Sequence, residues 1–321
     1  MDELTHTLIK ANDAYHNGEP IMTDDAFDAL VSKWESGTGK RWSEEQGVGA
    51  SVSSSHPTVK LPMWMGSMDK VKEEKDIASW FKRHNQPETL VVSDKLDGIS
   101  CLFYWCPKQK TYQVFTRGNG KEGTDITYLT DYIPGLVAIK SLVKEREIHH
   151  AKLGWLFKDS LEYFIRGELV IPKDSWESER KTTWANYSNP RNTVAGLVGR
   201  KLTGKKKKEQ DQIEALTRIH FVPFTVDMKH LKKNKWMPLT KPRMFAYLDS
   251  LTKCVGSVST VYHDEVSTVE KESLSGLLLE RRQHSPYEID GIIVWDGVGK
   301  HKPNTSGNPD HAFAFKMVME D

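Results

Sequence analysis

Residues 90–105 read LVVSDKLDGISCLFYW. Two β-rich runs meet at Asp97-Gly98, where glycine permits a tight turn. On an extended chain, residues i and i+2 share a face, so Lys95 and Asp97 point the same way. Taken alone, the pattern describes a hairpin turn with a surface ion pair as readily as a reactive lysine. Further out, residues 111–118 (TYQVFTRG), 162–172 (EYFIRGELVIP), 218–227 (RIHFVPFTVD), 287–297 (YEIDGIIVWDG) and 311–317 (HAFAFKM) are also strand-like. Residues 125–150 and 244–254 have helical character. Strands and helices do not alternate regularly, which argues against a doubly wound parallel sheet and for an α+β domain built on antiparallel sheets.

The N-terminal part reads differently. Leu4, Leu8, Ala11 and Tyr15 follow helical spacing up to Asn17-Gly18, and Thr23 can N-cap a second helix striped by Phe27, Leu30, Val31 and Trp34. Residues 36–55 are Gly- and Ser-rich and read as a linker or long loop. A small helical unit over 1–58, attached to a larger domain over 59–321, is therefore expected. The 321 residues suffice for two cores, and 45 Lys+Arg against 44 Asp+Glu leave the bulk charge neutral on the question of a nucleic-acid partner. Three cysteines without C-x-x-C spacing exclude a disulfide framework and a structural zinc. The sequence has no membrane-length apolar run and no signal peptide, so a cytosolic, reducing location is expected.

Several other segments can carry chemistry. Residues 116–123 (TRGNGKEG) contain G-x-G-x-x-G, but residues 124–127 read as loop rather than helix, so a dinucleotide-binding βαβ unit is not expected. The loop can still hold phosphate or ribose through its amides and Arg117. Arg166-Gly167-Glu168, Asn189-Pro190-Arg191-Asn192, Glu288-Ile289-Asp290-Gly291 and Ala314-Phe315-Lys316 come next, in that order. In this combination the sequence resembles the adenylation region of NAD-dependent DNA ligases, which are covalent nucleotidyltransferases. The likeness runs over nearly the whole chain. It implies an antiparallel-sheet nucleotidyltransferase domain (ATP-grasp-like), preceded by a small all-α domain that holds the nicotinamide mononucleotide half of NAD.

The resemblance also implies roles. Lys95 attacks NAD to form lysyl-AMP, and AMP then passes to the 5′-phosphate of nicked double-stranded DNA. A free lysine titrates near 10.4, so cations or desolvation must free its lone pair, and Lys316 is the nearest candidate. Glu168 and Asp290 would hold ribose or Mg²⁺, or orient the lysine, and Asp97 counts with them and Lys316 among the catalytic residues. Tyr15, His16, Asp24, Phe27 and Asp28 would bind the cationic nicotinamide. Ser67 and Met68 would lie against adenine, Arg117 on ribose or phosphate, and Arg191 and Arg200 on DNA. Phe224 is a candidate to stack on adenine, or plain core.

Departures from the family pattern are Ser93 and Trp295, where a glutamate and a lysine are usual, Asp310-His311 in place of Arg-Trp, and Phe27 in place of tyrosine. They suggest a divergent viral or phage member, acting in a bacterial or virus-infected host cell. The OB-fold, zinc and helix-hairpin-helix modules that grip DNA in the family are expected on a second polypeptide or in a longer parent chain. Basic residues at Arg200-Lys201, 205–208 and 229–243 are candidate DNA contacts, and the lysine run is equally a solvated loop. The competing readings are an ATP- or GTP-using RNA ligase or capping-type enzyme, and a non-catalytic subunit that binds nicked DNA.

Overall fold

The structure, a computed structural model, describes residues 2–16, 21–40, 42, 56–145, 155–202, 206–257 and 259–317. Two helices open the chain, α1 (Asp2–His16) and α2 (Asp24–Thr38). Thr23 caps α2 by accepting from the Ala26 amide at 3.3 Å, as its sequence position predicts. The helix runs through Ser36 to Thr38 and stops at Gly39 in the left-handed region (φ 68°), so the sequence-based linker begins too early. Trp42 is buried rather than loose, edge-on to Trp34 at 5.2 Å. With Leu8, and with Leu4, Phe27, Leu30 and Val31 around them, these tryptophans form a small core of their own. Residues 17–20 and 43–55, which hold the expected helix end and most of the linker, lie outside the described residues.

Next along the chain are β1 (Thr58–Lys60), β2 (Lys70–Val71), α3 (Glu74–Arg83), β3 (Leu90–Leu96), β4 (Ile99–Cys106), β5 (Thr111–Thr116) and β6 (Glu122–Thr124). A 3₁₀ turn (Thr127–Asp131) leads to α4 (Pro134–Glu145), β7 (Leu161–Val170), α5 (Lys173–Glu179), α6 (Pro190–Val198), α7 (Lys206–Leu216), β8 (His220–His230) and β9 (Lys235–Trp236). The chain closes with α8 (Lys241–Val255), β10 (His263–Val266), α9 (Lys271–His284), β11 (Ile289–Asp296) and β12 (Ala312–Phe315). This is the α+β class expected.

Two five-stranded sheets carry the larger part, in the orders β10-β3-β11-β12-β2 and β5-β4-β7-β8-β9, beside a two-stranded ribbon of β1 and β6. All pairings are antiparallel except β12 with β2. The core strands read as unbroken apolar runs because both faces are covered: Leu90–Val92 and Ile292–Trp295 are all buried. The two runs of the 90–105 stretch do not form a hairpin. β3 and β4 belong to different sheets, so Asp97-Gly98 is a crossover between them. A Cβ on Gly98 would lie 2.2 Å from the Leu169 carbonyl oxygen, so only glycine fits that close approach. After the G-x-G-x-x-G loop comes the short strand β6 and the 3₁₀ turn, and no helix opens on the glycines. Three of the four lysines at 205–208 start helix α7 rather than a loop.

Candidate active site

The two sheets present facing walls. In β3, Ser93 and Lys95 share a face, and β11 sets Ile293 opposite Ser93 and Gly291 opposite Lys95. The register slips between Ile289 and Gly291, and this irregularity aims Asp290 at the lysine. The Lys95 ammonium donates to both Asp290 carboxylate oxygens at 3.0 Å. Lys316, directly after β12, reaches the same carboxylate at 2.9 Å. Burial alone would raise the proton affinity of Asp290; the charges of Lys95 and Lys316, with their hydrogen bonds, overcome it and hold the carboxylate well below its ordinary range. Asp290 is therefore an anion that positions two ammoniums.

The opposite wall is less neutralised. Glu168, in β7, is pushed up to about 7, first by desolvation, against the attraction of Arg191, Lys95 and Arg117 and with Asp97 adding to the rise. Arg191, near the start of α6, donates to Asp97 at 2.8 Å. Asn189 and Pro190 fix that helix start, Asn189 accepting from the Asn192 amide at 2.8 Å. Arg117 is anchored through its amide to the Ser100 carbonyl at 3.0 Å. Phe224 sits at the β-bulge of β8, half-buried, under the Arg166 guanidinium at 5.5 Å, and packs on the main core. Arg166 also donates to the Gly66 carbonyl at 2.8 Å, which ties the 65–69 segment to this wall. In that segment the Ser67 amide donates to Asn308 at 3.0 Å, and Met68 packs on the core.

The structure thus groups Lys95, Asp97, Arg117, Glu168, Arg191, Asp290 and Lys316. Arg200 is engaged elsewhere, donating to the Tyr187 hydroxyl at 3.2 Å. Phe27 contributes to the small helical core. Asp28 meets Lys70, which donates to it, and Lys72 at 3.6 Å. The side chains of Tyr15, His16 and Asp24 lie outside the described residues. Sequence reasoning does not single out Lys70; its one signal is its place directly after the Met65–Asp69 segment.

The two unusual residues explain each other. Trp295 Nε1 donates to Ser93 Oγ at 2.9 Å, fully buried, and the Lys241 ammonium lies 4.6 Å from the centre of the indole ring. Asp310 and His311 are likewise built in: the Asp310 carbonyl accepts from Trp80 at 2.9 Å, and His311 stacks on His301 at 4.1 Å.

The profile of the NAD-dependent DNA ligase adenylation domain matches residues 53–319. The chain belongs to that family. It is 31% identical to a DNA ligase of Acanthamoeba polyphaga mimivirus over 98% of this chain and 42% of the relative, and 28% identical to a DNA ligase of Treponema pallidum over 100% of this chain and 36% of the relative. It spans about two fifths of the length of the curated relatives it matches. Among solved structures, the ATP-dependent DNA ligase of bacteriophage T7 in complex with ATP superposes with a TM-score of 0.44 at 16% identity, covering 78% of this chain and 67% of that one. No helix among the described residues is long and apolar enough to cross a membrane.

Proposed function

We propose that this adenylation domain carries out the first half-reaction of an NAD-dependent DNA ligase. Lys95 Nζ attacks the α-phosphorus of NAD, nicotinamide mononucleotide leaves, and AMP stays on the lysine until it passes to the 5′-phosphate of a nick in duplex DNA. The observation that carries this reading is one carboxylate, Asp290, holding both the strand lysine and Lys316. A nucleophile fixed from two oxygens has little freedom to lose on approach to phosphorus. Lys316 places a second positive charge where negative charge grows on the phosphoryl oxygens.

Glu168, Asp97, Arg117 and Arg191 form the ribose and phosphate side of the cleft. Mg²⁺ would meet one unpaired carboxylate here, Glu168, since Asp97 is paired with Arg191 and no cluster of three His, Cys, Asp or Glu stands among the described residues. Bound together with the diphosphate, it would supply charge neutralisation there. Phe224 and Met68 would bracket the adenine, with Ser67 at its edge, and the helical unit over 1–58 would take the nicotinamide half through Tyr15, His16, Asp24, Phe27 and Asp28. Arg191 and Arg200 would also meet DNA. Sealing would draw on OB-fold and helix-hairpin-helix modules beyond these residues, on a second polypeptide or in a longer chain.

Incubation with NAD should add one AMP in intact-mass analysis, and Lys95→Ala should abolish the adduct. An adduct from ATP but not NAD would overturn the cofactor assignment. Binding of nicked DNA without any adduct would make the chain a binding subunit.

A further inference from the structure

One row of charges crosses the first sheet. Its strands run β3, β11, β12, β2, and they deliver in turn Lys95, Asp290, Lys316 (immediately after β12) and Lys70. Beyond Lys70 stands Asp28 of α2, which accepts from Lys70 and lies 3.6 Å from Lys72. Asp290 thus meets Lys95 and Lys316, and Asp28 is the carboxylate that attracts Lys70.

An exposed lysine pair is ordinarily worth little. Lys70 differs in its surroundings. Its side chain is 39% exposed, hence reachable by a ligand. Crowding nonetheless lowers its proton affinity, with Lys316 the next cause and Lys95 adding, against the pull of Asp28. Its ammonium therefore sits in the field of the reaction centre.

A role for this lysine rests on the proposed function, in which Lys95 attacks NAD and the helical unit takes the nicotinamide half. Phosphoryl transfer places the attacking and leaving atoms roughly in line. The leaving phosphate then departs on the side away from Lys95, and Lys70, on the strand next to the one that delivers Lys316 and in contact with Asp28 of the helical unit, is the cation of this row that can meet it. We propose that Lys70 binds the phosphate of the departing nicotinamide mononucleotide, exchanging Asp28 for it. The N–P bond forms at Lys95 and the P–O bond to the bridging oxygen breaks. The electron pair stays on that oxygen as a new phosphate charge facing Lys70, and Lys95 gives up two protons to solvent, one to become the free amine that attacks and one as the N–P bond forms.

The test uses the full chain as wild type, Lys70→Met and Lys70→Arg. Adduct formation from NAD is followed by intact mass, with nicotinamide mononucleotide or nicotinamide riboside, which lacks the phosphate, added as inhibitor. Lys70→Met should slow adduct formation about 10- to 100-fold, the worth of one charge-assisted contact. It should also erase the wild-type preference for the phosphorylated inhibitor while inhibition by the riboside stays unchanged, and Lys70→Arg should restore both. Equal loss of inhibition by both compounds would assign Lys70 a structural role and overturn the proposal, as would a wild-type rate and preference in Lys70→Met. If wild type forms no adduct with NAD, the underlying reading itself fails, a result distinct from either of these.

Discussion

The two walls of the cleft are opposites in how they settle their charges. On the β3–β11 wall the charged groups at the lysine are paired: Asp290 holds Lys95 and Lys316, and on the other face of β3 Asp94 takes two 2.9 Å bonds from Arg281 of α9, which also lies over Tyr262 at 3.9 Å. On the β4–β7–β8 wall the Glu168 carboxyl is pushed up to about 7 by desolvation, and Ser100 Oγ, Arg166 Nε and Thr225 Oγ1 are buried without a hydrogen-bond partner among the described residues. Buried polar atoms left unmade cost about 1–3 kcal/mol each. The first wall is finished in the fold, whereas the second carries unmet polar demand.

Breaking the finished wall should cost most. Arg281→Met leaves Asp94, whose side chain is 2% exposed, as a buried unpaired carboxylate, and should lower stability by about 4 kcal/mol in denaturant unfolding. A loss under about 1 kcal/mol would mean that this wall is not held by its ion pairs. Next comes the crossover that joins the walls. Gly98→Ala drives a methyl into the Leu169 carbonyl and should cost about 3 kcal/mol, measured the same way.

The smallest effect is expected on the unfinished wall, and with the opposite sign. Glu168 has a folded-state pKa near 7 against an ordinary value of 4.5, so the folded protein binds the extra proton between these pH values. Its ionisation penalty is absent below about pH 4.5, grows as pH rises, and is complete above about 7. Glu168→Gln should therefore stabilise the chain at pH 8, with the gain fading towards pH 5. It should also depress adduct formation from NAD. A variant equally stabilised at both pH values would remove the contrast between the walls.

That the structure would group Lys95, Glu168, Asp290 and Lys316 was legible in the sequence because each holds a fixed place beside a strand-like run: Lys95 near the end of one, Glu168 before Leu169–Ile171, and Asp290 and Lys316 opening or closing others. The place of Lys70 in the row of charges was not legible, since a lysine in a two-residue strand has no periodicity to mark it, and that place comes from the parallel pairing of β2 with β12. Ser93 and Trp295 look like two separate losses 202 residues apart, yet they are one hydrogen-bonded contact. Neither residue reports on the other until their strands pair.

Residues 90–105 show the same division. LVVSDKLDGISCLFYW by itself determined two strands and a turn that needs glycine. Those properties follow from backbone sterics and the two-residue period, which are local. Only the tertiary structure decided that the turn separates two sheets rather than closing a hairpin, because strand partners are chosen by long-range burial and register. That choice sets Lys95 on one sheet and Glu168 on the other, close enough to feel each other's charge.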